Sequence, residues 1–286
     1  GSDAAVVFNR RTGLVATVLQ LVLTRSLSLV PHPRYGFRLA ASFSLCSFVL
    51  LLLGARETLP PAKRLQGRPD WKSLVREFSP LGFLEVFGRT RAMRALAVCT
   101  VLNMHAGTGL NNGTLLLFRK HKHGWGQAQQ SNQMLVAQAC GLCESAVQGP
   151  VLRKLGLGGA LRWGERLGAL TDLNTAASPD QRTFYLNPVL QALRQSPTVL
   201  DRALDAEARL QGVSQGRLAA AEENLTFVFR LLMPSVFSEL YVRTLEWLPG
   251  ANFLASAACQ LVNSEIVAPW AWRQLSQETL DQVSSA

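Results

Sequence analysis

Residues 36–54 read GFRLAASFSLCSFVLLLLG and carry one charge, Arg38, near their start. Residues 55–94 follow with nine basic side chains (Arg56, Lys63, Arg64, Arg68, Lys72, Arg76, Arg89, Arg91 and Arg94) among four acidic ones. Residues 95–118, ALAVCTVLNMHAGTGLNNGTLLLF, then contain no Lys, Arg, Asp or Glu. A basic loop between two uncharged blocks of about 20 residues is the positive-inside arrangement of a membrane protein. Working outward from it, the chain reads as an all-α, polytopic membrane helix bundle.

Composition agrees with that reading. The 286 residues are 48% apolar and only 17% charged, against about 25% charged for a typical soluble domain. Mean hydropathy is +0.13. Such a chain has too much apolar material for a disordered tail. Its five scattered cysteines do not make a disulfide scaffold. The net charge of +10 suits anionic lipid or basic membrane loops, because no stripe of interleaved basic and aromatic residues points to nucleic acid.

Five domains follow from the charge pattern. Residues 1–54 hold a marginal apolar helix at 13–30, interrupted by Arg25, and the span at 36–54. Residues 55–94 are a basic loop of cytoplasmic type. Within it Trp71, Leu74, Val75 and Phe78 fall at helical spacing, as in a helix lying on a surface. Residues 95–154 supply a transmembrane pair, 95–118 and 133–152, closed by Arg153-Lys154. Residues 155–223 are richer in Ala, Arg, Asp and Gln and form a polar, soluble helical insert. Residues 224–286 supply a second transmembrane pair, 225–242 and 248–272, with Trp270 and Trp272 suited to an interfacial belt. Five spans result, besides the marginal first helix. The positive-inside rule then puts the basic loops 55–94 and 153–166 on one side of the membrane.

Four stretches, in order, resemble the major facilitator superfamily and, within it, the tetracycline-resistance-like drug/proton antiporters. GARETLPP (54–61) is similar to the end of the family's sixth helix. HGWGQAQQSNQMLVAQACGLCESAVQGPVLRKLGLGGAL (123–161) is similar to the seventh-to-eighth connection and the eighth helix. ARLQGVSQGRLAAAEENLTFVFRLLMPSVFSELYV (208–242) is similar to the eleventh helix, with a Pro in its middle. LPGANFLASAACQLV (248–262) resembles the start of the twelfth, with Asn252 where the family often has Pro. The resemblance implies a partial or degenerate fold that keeps mainly the C-terminal half. The first four helices and the ninth and tenth have no counterpart, and the antiporter motif is not recognisable in residues 13–30.

The candidate substrate- or proton-pathway residues are Glu144, His105, Asn103, Asn111, Asn112 and Gln138. A carboxylate inside a span is expensive, so Glu144 is either a proton carrier or the partner of a polar or cationic protein group. Gln138 and Gln148 extend a polar stripe beside it. His105 lies among amides, where it would titrate, hold a metal or touch a tetrapyrrole; a plain interhelical hydrogen bond is the preferred reading. Asn103, Asn111 and Asn112 should face a cavity or a protein neighbour rather than lipid. Cys140-Gly-Leu-Cys143 has redox spacing but sits in an apolar helix and reads as packing. His121-Lys122-His123 reads as a solvated loop or a lipid-headgroup contact. Arg230 and Glu239 are nine residues apart, so each needs another partner.

No P-loop, dinucleotide fingerprint, nucleophile elbow or zinc-protease motif occurs. The sequence therefore leads us to expect no enzyme, no metal and no cofactor beyond lipid. The expected function is that of a non-catalytic membrane subunit, derived from a transporter and acting as a scaffold among other membrane subunits. The thylakoid or mitochondrial inner membrane is the natural host. The alternative is part of a proton-coupled small-molecule exporter.

Overall fold

The computed structural model describes residues 41–42, 45–46, 49, 82–107, 112–194 and 196–280. The chain divides into two compact units, residues 1–79 and 80–286. In the first unit, the five described residues are helical and exposed. The marginal helix at 13–30, the rest of the 36–54 span and the surface helix at 71–78 lie outside the described residues.

Every described element of the second unit is a helix. α1 is Gly82–Phe87, α2 Arg91–Gly107, α3 Asn112–His123 and α4 Gln127–Ala177. A 3-10 turn, Arg182–Tyr185, leads into α5, Leu186–Ala192. α6 is Ser196–Leu210 and α7 Gln215–Thr244. α8, Ala251–Val262, runs through a π turn, Asn263–Val267, into α9, Ala268–Gln274.

The boundaries have local causes. Thr90 Oγ1 accepts the Met93 N–H at 3.0 Å and starts α2. Ser214 does the same for α7 through the Arg217 N–H. α6 stops at Gly212, whose φ of +66° suits glycine. There the Val213 N–H reaches back to the Ala208 carbonyl at 2.9 Å, a Schellman closure. α4 is two helices joined at Gly156, which has φ 66° and ψ 172°.

That junction revises one expectation. The basic segment 153–166 forms no loop: it is helical on both sides of a single-residue break. The positive φ is free for glycine, so the chain turns there without leaving helical hydrogen bonding for long. Similarly, the basic cluster 119–123 is the last turn of α3 rather than a loop.

The core lies between α2, the second half of α4, α6, α7 and α9. Met93, Leu96, Leu161, Val199 and Leu204 are its buried centre. Leu161, Val199 and Leu204 come from the 155–223 stretch that composition sets apart as a polar insert. On α6 the buried residues Val199, Leu200, Ala203, Leu204 and Glu207 follow helical spacing. The charges that lower the hydropathy of this stretch are carried mostly on its open faces. A second cluster gathers Phe118, Trp125, Phe184, Tyr241 and Phe253, in which Phe118 meets Phe184 and Phe253 edge-on and Trp125 meets Phe184 edge-on.

Among the described residues, α7 is the one helix long and apolar enough to cross a membrane. Its ends pack on the unit through Leu218, Ala221 and Leu225, and through Phe237, Tyr241 and Thr244. Its middle is open on one side, where Phe227 is 60% exposed and Leu231 65%, while Phe229 still packs against the core.

Candidate functional site, a buried polar seam

α4 and α8 form the most extensive helix pair in the unit. Their contact is polar. Asn252, Ser256, Gln260 and Asn263 recur along one stripe of α8 and its π turn, and all four are completely buried. Opposite them on α4 stand Glu165, Gly168 and Asp172. The two helices run antiparallel, as the pairs show: Arg162 bonds the Ser264 carbonyl at 3.3 Å, and Gln260 Nε2 donates to Asp172 Oδ2 at 2.6 Å.

Two glycines make this approach possible. A Cβ on Gly164 would lie 2.6 Å from the Ser196 backbone nitrogen. A Cβ on Gly168 would overlap the Gln260 side-chain oxygen and stand 3.1 Å from Arg194 Cζ. Their four-residue spacing lets α4 meet α6 on one turn and α8 and Arg194 on the next, as small residues do in close helix pairs.

Arg194, between α5 and α6, is the hub. Its Nε donates to Ser196 Oγ at 3.1 Å. Its Nη2 donates to Glu165 Oε1 at 3.3 Å and to Asn103 Oδ1 on α2. Both members of the ion pair are buried, 3% and 0% exposed. A buried pair of this kind is costly to desolvate, and costlier to break. Nearby, Asn263 Nδ2 donates to the Cys99 carbonyl at 3.3 Å, and Asn252 Nδ2 donates to Thr114 Oγ1 at 2.9 Å. At the open end of the seam Glu265 accepts from Arg162 at 3.3 Å and from Arg166 at 2.7 Å.

Four oxygens in this seam are sealed from solvent and lack a donor: Glu165 Oε2, Asn252 Oδ1, Gln260 Oε1 and Asn263 Oδ1. Most buried polar atoms are paired, so a run of orphans of one kind is informative.

Of the residues singled out from sequence, Asn103 enters this seam. Gln138 lies on the first half of α4, half-buried, with both amide atoms sealed and unpartnered. Glu144 and His105 are carried on α4 and α2, and Asn112 opens α3; their side chains, and the whole of Asn111, lie outside the described residues. Arg230 and Glu239 do find separate partners, Glu223 at 3.5 Å and Arg243 at 2.6 Å. Cys140 and Cys143 are free thiols.

Glu165, Asp172, Arg194, Gln260 and Asn263 were missed. A signal existed: four uncharged polar residues at 252, 256, 260 and 263 share one face of a helix that is otherwise apolar.

At the end of α3, His123 packs edge-on against Phe118 and Phe184. Burial, with Lys122 beside it, holds its imidazole below the ordinary histidine value. A separate surface cleft of about 360 Å³ is lined by Arg91, Arg94, Trp270 and Gln274. Among the described residues, no three His, Cys, Asp or Glu side chains gather as metal ligands.

No family model, curated protein or solved structure matches the chain.

Proposed function

We propose that this chain is a non-catalytic, polytopic membrane subunit, a degenerate relative of the major facilitator transporters that serves as a scaffold in a larger assembly. One observation carries the reading. Charged and amide groups of the seam pair across helices: Asn103 and Glu165 on Arg194, and Gln260 on Asp172. A carrier's pathway must exchange such contacts for water and substrate as it opens to each side. A locked seam holds two helices at fixed spacing instead. The exposed side of the middle of α7 complements this, because it offers an apolar surface to lipid or to a neighbouring subunit's helix. An organelle energy membrane, thylakoid or mitochondrial inner, would supply both.

The competing reading, part of a proton-coupled exporter, draws on the same cluster. Charges buried between helices are expensive and are commonly retained for ion movement. Reconstitution in liposomes separates the two. Under an imposed proton gradient the scaffold reading predicts no drug or proton flux. Gradient-dependent uptake that Glu144→Gln abolishes would overturn it and restore the transporter.

A further inference from the structure

The surface cleft at the start of α2 is built from two helices. α9 packs along α2, and Ala92, Ala95, Ala268 and Ala271 turn into the shared core. The long side chains beside these alanines are left at the rim. Arg91 and Arg94, three residues apart, share one face of α2, and Trp270 and Gln274, four apart, share one face of α9. Together they line the cleft of about 360 Å³, at the lower end of the range for small-molecule sites.

Its chemistry is one-sided. A guanidinium and an indole N–H only donate, and the lining contains no carboxylate. Elsewhere in the unit arginines are neutralised: Arg162 and Arg166 by Glu265, Arg194 by Glu165, and Arg217 by Glu85. Among the described residues, neither Arg91 nor Arg94 has such a partner. Arg94 turns its Nε back to the Thr90 carbonyl at 3.4 Å. Both cations also stand at the unfavourable end of their helix. α2 carries no acidic residue in its first turn, and positive charge at a helix N-terminus opposes the macrodipole. An anion seated there reverses that cost.

Beyond the cleft the surface turns apolar. Asn263 Nδ2 reaches the Cys99 carbonyl at 3.3 Å, while Arg91 and Arg94 meet Trp270 and Gln274, so α2 runs antiparallel to the α8–α9 stretch. Val98 lies one turn past Arg94 and Ile266 one turn before Trp270, which brings the two to one level. Val98 is 43% exposed and Ile266 62%. Two guanidinium groups at one end of an apolar strip match an amphiphile with an anionic head.

We propose that Arg91 and Arg94 hold the phosphate of an anionic lipid headgroup in this cleft, with an acyl chain lying along Trp270, Ile266 and Val98. Arginine suits the role because its planar fork pairs two N–H groups with two phosphate oxygens. The phosphate chemistry stands on the cleft alone; the lipid as its source rests on the membrane reading above.

The test titrates the purified full chain, in a neutral detergent, with phosphatidic acid, phosphatidylcholine and soluble glycerol phosphate. Saturable binding of one phosphatidic acid per chain is expected, with phosphatidylcholine at least tenfold weaker. Arg91→Gln with Arg94→Gln should weaken phosphatidic acid binding about thirtyfold, the effect of two cations lost beside an anionic group. Both arginines are exposed, so the unfolding midpoint should not move. Lys120→Gln with Arg182→Gln removes the same charge from exposed positions outside the cleft and should leave binding unchanged. Ile266→Asn should weaken phosphatidic acid but not glycerol phosphate. Equal affinity for the two lipids, or an equal loss in the two double variants, would overturn the site. Glycerol phosphate bound as tightly as phosphatidic acid would overturn the lipid as its source. A chain that stays with membranes yet prefers neither lipid fails this proposal alone, whereas failure of the membrane reading is recovery in the aqueous fraction.

Discussion

Alanine at Gly168 should destabilise the protein far more than a single methyl group suggests. The new Cβ would overlap Gln260 Oε1, and would stand 3.0 Å from Gln260 Cδ and 3.1 Å from Arg194 Cζ. Gln260 cannot step aside freely: it is fully buried, and its amide holds Asp172 at 2.6 Å. Losing that hydrogen bond to a carboxylate costs about 1.5–3 kcal/mol. Forcing a methyl group into a close-packed contact adds about 1–3 kcal/mol. The better helix propensity of alanine returns about 1 kcal/mol. The net expectation is a loss of about 2–5 kcal/mol. Chemical unfolding of the detergent-solubilised chain, followed by far-UV circular dichroism, would measure it. Gly141→Ala is the control. It is an exposed helical position with nothing within 4 Å of its new Cβ, so it should gain up to about 1 kcal/mol. Removing the obstacle should also relieve the strain, so Gly168→Ala with Gln260→Ala should lose less than the two single losses together. If Gly168→Ala is as stable as the parent, Gln260 and Arg194 do not close over this glycine and the seam is wrongly drawn.

Arg194→Met should cost about 3–5 kcal/mol, because Glu165 would be left buried without its counter-charge; a change below 1 kcal/mol in the same unfolding assay would contradict the buried pair. His123 sets a pH dependence. Its folded pKa lies below the ordinary 6.5, so below pH 6.5 the unfolded chain binds a proton that the folded chain resists. Stability is fully present above pH 6.5 and is lost as pH falls from there through the folded value. Unfolding midpoints at pH 8 and pH 5 should therefore differ less in His123→Gln than in the parent, and an equal difference would refute the assignment. Leu231→Asp changes a residue 65% exposed. It should shift folding in detergent by no more than about 0.5 kcal/mol. In insertion assays it should cost about 2.5–3.5 kcal/mol if α7 crosses the bilayer, and unchanged insertion would argue against that span.

Several helices were readable because apolar blocks are local, although the block 95–118, expected as one span, falls on two helices, α2 ending at Gly107 and α3 starting at Asn112. The runs 225–242 and 133–152 lie inside α7 and α4, and 248–272 covers α8, the π turn and most of α9. Ser214 and Gly212 mark ends that short-range chemistry sets. The seam was much less readable, because its partners are distant in the chain. Arg194 meets Glu165 29 residues away and Asn103 91 away, and Gln260 meets Asp172 88 away. Hydropathy counts Glu165 and Arg194 as polar whether or not they neutralise each other, so their stretch reads as a surface insert when it supplies core. Glu144 drew notice because it is isolated in an apolar run. The buried carboxylates at 165 and 172 sit among other charges, and sequence alone gave no reason to separate them from Arg162 and Arg166, which are exposed. Asn103 was legible because an amide in an uncharged block has few options besides a protein partner.

The central claim, that this chain is a membrane subunit built to hold a larger assembly, is tested most directly by sizing it in its native membrane. Membranes are extracted with a mild detergent and separated under native conditions, and the chain is located by antibody. The account predicts that it stays in the membrane fraction and migrates within a large multi-subunit complex, with Arg194→Met releasing it. Recovery as a free monomer, or in the aqueous fraction without detergent, would contradict the account.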